Sequence, residues 1–444
     1  MLYKKKSYEA AIINEFTQRF SLVAHSSPPY QEPLLSAIGL LGDTETASSI
    51  LQGTYTCPRD MDPYLKDVLT NLVIPQRVQD LGPVPTFISN EDYAKAWKKM
   101  KDGISSEPSW LTIPHYTTGA YNDIINAVDA AKANACYQLG LAPSSWLKST
   151  DCSLFKKKML NVEGLRFIGL FAADANMNNK KLGLDSLLHA EEAGLLEPEQ
   201  QGSRPAHRVD FCAAAKVALM DESQQQRRAL CWAFMDNEKC YNRMPHNITS
   251  LALQHLGVPK EPIVSMFSTL QQMVHKISSA YGISGEEFGG IWQELEGEPP
   301  FAGMLQGNGA RLASWGILSS VLFQIMKQHG HGAEMILAID GEVKKILGFA
   351  IVDDADLALN HPDVNAPAER SFGPFQEMIN DWSGLLAAVT GAVRPDKTFI
   401  SVVDYHWMGT KWCYRTKDEM PAQFFLKDPA GVTQPLNWLE YNQA

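Results

Sequence analysis

Three aspartates stand where apolar runs end: Asp236 closes LCWAFMD, and Asp353 with Asp354 closes ILGFAIVDD. Burying like charges beside apolar strands is costly, and a divalent cation is the usual way to offset that repulsion. Carboxylate oxygens are hard donors, suited to Mg2+ or Mn2+ rather than zinc. Brought together in one sheet, the three acids would make a two-metal site for in-line phosphoryl transfer, in which attacking and leaving oxygens both need their charge stabilised. Taken alone, Asp353-Asp354 also reads as a polar surface turn. The second strand end, at Asp236, is what weighs against that plainer reading.

Such convergence needs strands and tight turns. In MILAIDGEVKKILGFAIVDDADLAL (335–359) the Asp340-Gly341 pair is a strong hairpin signal, and a second hairpin is implied at the Asp353-Asp354 tip. RFIGLFAA (166–173) and TFISVV (398–403) read as further strands, and LCWAFM as a strand ending in its acid. After Asp236 the chain should turn into an amphipathic helix near His246, with Ile248, Leu251 and His255 at helical spacing. The layout beyond Trp146 is therefore α+β, with helices packed on a sheet. Residues 1–146 read as a mainly helical N-terminal region of unassigned role. Its helical stretches, 90–104 and 120–141, are broken by the proline-rich joints SSPPYQEP and LGPVPTF.

Composition sets outer limits. With 444 residues, 45% of them apolar and 20% charged, the chain has the make-up of a globular protein rather than a disordered one. No run is long and apolar enough for a membrane helix, and MLYKKKSYEAAIINEF lacks the apolar core of a secretion signal. Seven scattered cysteines without a C-x-x-C pair argue for reduced thiols. An intracellular protein, in nucleus or cytoplasm, is expected. The net charge of -11 requires any nucleic-acid site to be a local basic patch. One candidate is 151–181, net +3, which holds Lys156, Lys157, Lys158, Arg166, Lys180 and Lys181; another is Arg204 and Arg208 followed by Arg227 and Arg228. A merely solvated surface would look the same.

Six short blocks, in order, resemble reverse transcriptases of non-LTR retroelements. Asp236-Asn-Glu-Lys-Cys-Tyr241-Asn242 resembles D-x-x-x-x-[FY]-D, with Asn242 departing from it, and Val352-Asp353-Asp354 is similar to the x-D-D box. Gln306-Gly307 matches the Q-G block, although Arg311-Leu312 stands where Ser-Pro would. Leu165-Arg166 is similar to the R-P-I block, Pro198 to Arg204 to P-E-Q-x-G-x-R, and Lys397-Thr398 to the K-T block. The resemblance spans 156–412, over half of the chain.

It implies a right-hand polymerase: fingers at about 150–228 and a palm at about 229–415, within a reverse-transcriptase domain over 147–444. The palm would be an antiparallel sheet packed on helices. A thumb would be missing or incomplete, as in a fragment of a larger element-encoded polyprotein. The activity implied is RNA-directed DNA synthesis, with a primed RNA or DNA template and deoxynucleoside triphosphates as partners and two Mg2+ or Mn2+ ions held by Asp236, Asp353 and Asp354. Lys397 becomes the candidate acid for the pyrophosphate leaving group. Arg166 would fork onto the triphosphate, and Tyr241 would lie under the sugar. Gln306 and Gly307 would let the chain approach template and primer closely. Lys180, Lys181 and Arg204 would contact nucleic-acid backbone. Asn242 and Arg311-Leu312 are departures of the kind a catalytically silent, nucleic-acid-binding descendant would carry. A third possibility is a metal-dependent nuclease using the same acids on water.

Other features invite plainer readings. His329-Gly-His331 has no cysteine or carboxylate at ligand spacing and reads as a glycine-rich turn. Glu286, Glu287, Glu294, Glu296 and Glu298 read as a solvated acidic loop, and Trp382, Trp407 and Trp412 as core.

Overall fold

The computed structural model describes residues 4–108, 111–156, 161–290, 300–337 and 339–440. Lys157, Lys158, Glu294, Glu296 and Glu298 lie outside them. The longer helices are, in chain order, α1 (Lys5–Ser26), α2 (Pro63–Asn71), α3 (Asn90–Lys98), α4 (Asp123–Leu139), α5 (Ala173–Glu192), α6 (Val209–Gln226), α7 (His246–His255), α8 (Lys260–Gln271), α9 (Arg311–Gln328) and α10 (Phe372–Ala388). The expected helices in 90–104, 120–141 and 246–258 are present as α3, α4 and α7. Local signals set their ends. The Asn122 side chain accepts from the Ile124 and Ile125 amides at the start of α4, and Gly140, at φ +62°, closes it.

The chain divides into two compact units. One comprises 1–56, 72–193 and 241–314, the other 57–71, 194–240 and 315–444. No unit boundary falls near Trp146. The first unit carries strands β1 (Lys148–Phe155), β2 (Leu165–Leu170), β4 (Val274–Ser279), β5 (Gly282–Ile283) and β6 (Phe288–Gly289). The order is β2-β1-β4-β5, with β6 also on β4; β1 runs antiparallel to β2 and parallel to β4. Its core wraps α1 onto this sheet, with Phe16 ringed by Phe20, Phe167, Phe288 and Phe301. A carboxylate is buried there, and it is satisfied: Asp151 accepts from Ser149 Oγ at 2.9 Å and pairs with His275 Nδ1 at 2.8 Å.

The second unit is built on β3 (Leu230–Asp236), β9 (Gly348–Ile351), β10 (Asp354–Leu359), β11 (Phe399–Val403) and β16 (Asn437–Trp438), in the order β16-β11-β3-β10-β9. The apolar LCWAFMD run lies in mid-sheet because both its faces are covered. The pairs inside the sheet are antiparallel, but β16 joins β11 in parallel, so the sheet is mixed rather than wholly antiparallel as the resemblance implied. Helix α6 covers one face, its Cys212 and Leu219 packing with Leu230, Trp232, Phe349 and Ala358. The Asp340-Gly341 turn joins β7 (Ala333–Ile336) to β8 (Val343–Ile346), as its residues suggest. Trp382 is fully buried and stacks on Phe323 at 4.9 Å. Trp407 and Trp412 correct the core expectation: they stand 56% and 47% exposed on the hairpin of β12 (Tyr405–Met408) and β13 (Lys411–Tyr414). Among the described residues this ribbon pairs with no third strand, and the two indole rings meet edge to face at 5.6 Å.

Candidate active site

The β9–β10 hairpin turns through two residues, Val352 and Asp353. Two-residue hairpin loops need a left-handed first residue, because only that twist matches the flanking strands. Val352 therefore sits at φ +63°. For a β-branched side chain this is a strained conformation, tolerated only where the surroundings enforce it. Gln200 does much of the enforcing. Its Oε1 accepts from the amides of Val352 at 3.1 Å and Gly202 at 2.9 Å, and its Nε2 donates to the Val352 carbonyl at 3.1 Å and to Ser319 Oγ at 3.0 Å. Trp315 Nε1 donates to the same carbonyl at 2.5 Å. Gly202 lies so close that an added Cβ would fall 2.2 Å from the Val352 nitrogen. From the other side Asn237 Nδ2 donates to the Asp353 carbonyl at 2.7 Å, and Trp382 Nε1 donates to Asn237 Oδ1 at 3.3 Å. The tip is held at both peptide ends.

The three acids come together at this tip. Asp354 is the direct cross-strand partner of Asp236, and Asp353 is the turn residue just before it. Alternation then puts Asp236, Phe234, Asp354 and Asp356 on one sheet face. That face borders a cleft of about 510 Å³ whose lining includes Asp236, Asp354, Asp356, Lys216, Lys397 and Phe399. Asp354 is exposed, and Asp353 is partly so. Lys397 Nζ lies 3.9 Å from Asp236 Oδ2. The K-T block is tied to the same strand end, because the Asp236 amide donates to Thr398 Oγ1 at 3.3 Å and the Arg394 amide to the Asp236 carbonyl at 2.9 Å. Two members of the cleft carried no sequence signal. Lys216 of α6 pairs with Asp356, and burial lowers its ammonium below the usual lysine range, with Cys212 and Asp354 opposing.

The remaining candidates belong to other surroundings. Arg166 is exposed on β2 of the first unit, across from Leu154, and Lys180 is exposed on α5. Lys181 is not a free contact, since it pairs with Asp185 at 2.6 Å one helical turn away. Arg204 turns inward and donates to the Glu197 and Gln200 carbonyls at 2.9 and 3.2 Å, which braces the loop carrying Gln200. Arg228 is 1% exposed and bonds the Glu334 and His361 carbonyls, so it belongs to no basic surface.

Gly307 makes its close approach to its own chain. A Cβ there would stand 2.1 Å from the Gly169 carbonyl oxygen, and the Gly169 amide donates to the Gln306 carbonyl at 2.8 Å. Both residues thus fasten a loop to β2, where contact with template and primer was expected. Tyr241 is 9% exposed, with the Arg311 guanidinium 5.7 Å from its ring centre. Replacement of Ser-Pro by Arg311-Leu312 leaves the helix start intact: α9 begins at Arg311, and Asn308 Oδ1 accepts the Ala310 amide at 2.9 Å.

Sequence reading also missed a cluster in the second unit. His329, His331 and Asp381 bring their ligand atoms within 4.8 Å of one another. The carboxylate that the His-Gly-His turn lacks nearby is supplied by α10. Among the described residues no helix is long and apolar enough to cross a membrane. No protein-family model matches this chain, and no curated protein matches it.

Proposed function

We propose that this chain is a template-directed nucleotidyltransferase of the reverse-transcriptase kind, with its reacting centre at the β9–β10 tip. The observation that carries the reading is the register of β3 on β10, which sets Asp236 opposite Asp354 with Asp353 beside them. A set of hard carboxylate oxygens bordering a cleft is donor chemistry that fits Mg2+ or Mn2+. Two such ions on Asp236, Asp353 and Asp354 would supply the charge that activates a primer 3′-hydroxyl and neutralises nucleotide phosphates. The chain's own part is positioning. Gln200, Trp315 and Asn237 fix the tip, and pre-set geometry of this kind is where most of the catalytic gain in phosphoryl transfer resides. Lys397, next to Asp236, is within reach of the same charge and is the candidate proton donor to the departing pyrophosphate.

The test supplies purified chain with a primed RNA template, deoxynucleotides and Mg2+ or Mn2+, beside a variant carrying Asp353→Ala and Asp354→Ala. Primer extension by the parent and none by the variant supports the proposal. Cleavage of single strands without extension turns it toward a nuclease.

A second reading, a silent descendant that binds nucleic acid without turnover, has one specific observation in its favour. Tyr241, whose ring the resemblance sets under the incoming sugar, is buried and lies against Arg311. Template binding without extension under either metal would select it.

A further inference from the structure

We propose that His329, His331 and Asp381 form a binding site for one divalent transition metal of the zinc class. The site is separate from the aspartates of the hairpin tip and does not depend on the polymerase reading. His329 and His331 lie on the turn that follows α9, and Asp381 projects from α10. His329 Nδ1 stands 2.9 Å and His331 Nε2 2.7 Å from the same carboxylate oxygen, Asp381 Oδ2. Two ring nitrogens focused on one oxygen make an inner set of two imidazoles and a carboxylate. That donor set suits zinc and its neighbours, whereas magnesium prefers oxygen alone.

The outer partners are those a metal site requires. His329 presents its second nitrogen, Nε2, to Asp67 Oδ2 at 3.2 Å, and Tyr64 donates its hydroxyl to Asp381 Oδ1 at 2.9 Å. The first contact fixes the ring so that Nε2 carries the proton and Nδ1 a lone pair; the second occupies one carboxylate oxygen and leaves the other to the metal. A neutral imidazole has a single N–H, yet both nitrogens of His329 face carboxylates. One of those contacts therefore needs added positive charge, and a metal at Oδ2 supplies it for both rings at once. Tetrahedral ligands about 2.0–2.1 Å from an ion stand roughly 3.4 Å apart, so each nitrogen–oxygen contact has to open by only about half an ångström. His331 is buried, Asp381 is half-buried and His329 is exposed, which leaves a fourth position for water. A metal here would pin three elements of the second unit: α2 through its partners Tyr64 and Asp67, the turn after α9, and α10. Packing already holds the outer shell in place, since Gly384 of α10 admits the Tyr64 ring where a Cβ would clash at 2.2 Å.

The rival occupant is a proton, giving imidazolium rings and no metal. The 444-residue chain is stripped with chelator and titrated with Zn2+ by calorimetry and with Co2+ by visible absorption at neutral pH. The expected result is one equivalent bound with tetrahedral cobalt absorption and a melting temperature that rises with Zn2+. That equivalent should be lost in His331→Ala and Asp381→Asn, retained in Asp353→Asn/Asp354→Asn, and weakened about 10–100-fold in Tyr64→Phe and Asp67→Asn. The two outer variants keep the test decisive should an inner variant misfold. Absence of a saturable equivalent, or affinity unchanged in both outer variants, overturns the proposal. Binding lost only with the paired-aspartate variant overturns it too, by assigning the ion to the hairpin tip.

Discussion

Asp236 and Asp354 face each other directly across neighbouring antiparallel strands. Opposed side chains in such a ladder have Cβ atoms about 4.5–5.5 Å apart, and like charges at that spacing destabilise the pair. The adjoining turn adds a second local cost, because Val352 is held left-handed by a two-residue loop. Repulsion and backbone strain at one hairpin tip make it the place where the fold gives up stability, and strain of that kind concentrates at working sites.

Removing one of the opposed charges should release part of that cost. Asp354→Asn is expected to stabilise the chain in chelator by about 0.2–1 kcal/mol, the scale of a cross-strand charge contact. With millimolar Mg2+ the gain should disappear, because an ion shared by the acids favours the parent. Urea unfolding of both proteins with and without Mg2+ measures it. A gain that is the same in both conditions would falsify metal binding between these carboxylates.

Gln200 is the principal brace on the strained turn, making four hydrogen bonds from a side chain that is 1% exposed. Gln200→Leu leaves the Val352 and Gly202 amides without their acceptor, while the Val352 carbonyl keeps Trp315. Unsatisfied buried groups cost about 1–3 kcal/mol each, so a total loss of roughly 2–4 kcal/mol is expected. The proposed function adds a kinetic signature: the extension rate should fall by about 10-fold or more while template affinity holds, since the side chain positions the acids and touches no nucleic acid. Equal losses in rate and affinity would make it an ordinary core residue.

The elements around the tip were legible because their signals are local. An apolar run ending in an acid, an Asp-Gly pair and helical spacing at 246–255 each act within a few residues. Pairing and direction were not. Nothing in Arg204 or Arg228 says that the guanidinium turns inward to backbone carbonyls, and Lys216 sits in an unremarkable helical run until Asp356 arrives from β10. His331 meets its carboxylate 50 residues downstream, a spacing no short motif encodes.

Gly307 illustrates the same limit and gives a third test. At φ +132°, with Gly169 oxygen 2.1 Å from a built Cβ, alanine clashes with backbone that cannot swing aside. Gly307→Ala should destabilise the chain by about 3 kcal/mol or more, through strain and loss of the Gln306–Gly169 hydrogen bond. Thermal melts read the effect without any template present. An unchanged melting temperature would return this glycine to the role of a template contact.

The first unit should be acid-labile through His246. The ring is buried, with Nε2 2.8 Å from the Gly303 carbonyl and Nδ1 3.1 Å from Gln271 Nε2, an arrangement for a neutral imidazole that donates once and accepts once. Burial pushes its pKa down to about 4, with the Gly303 hydrogen bond opposing. The unfolded chain binds a proton near pH 6.5 and the folded chain does not until about pH 4, so stability falls as pH drops through that window. The expected loss is roughly 2–4 kcal/mol between the two limits, at 1.36 kcal/mol for each pH unit. His255, also lowered by burial, steepens the slope in the same direction. Urea unfolding at pH 7, 6 and 5 checks the trend, and His246→Gln, which cannot take up the proton, should flatten it. A slope that His246→Gln leaves untouched would assign the acid sensitivity to other groups.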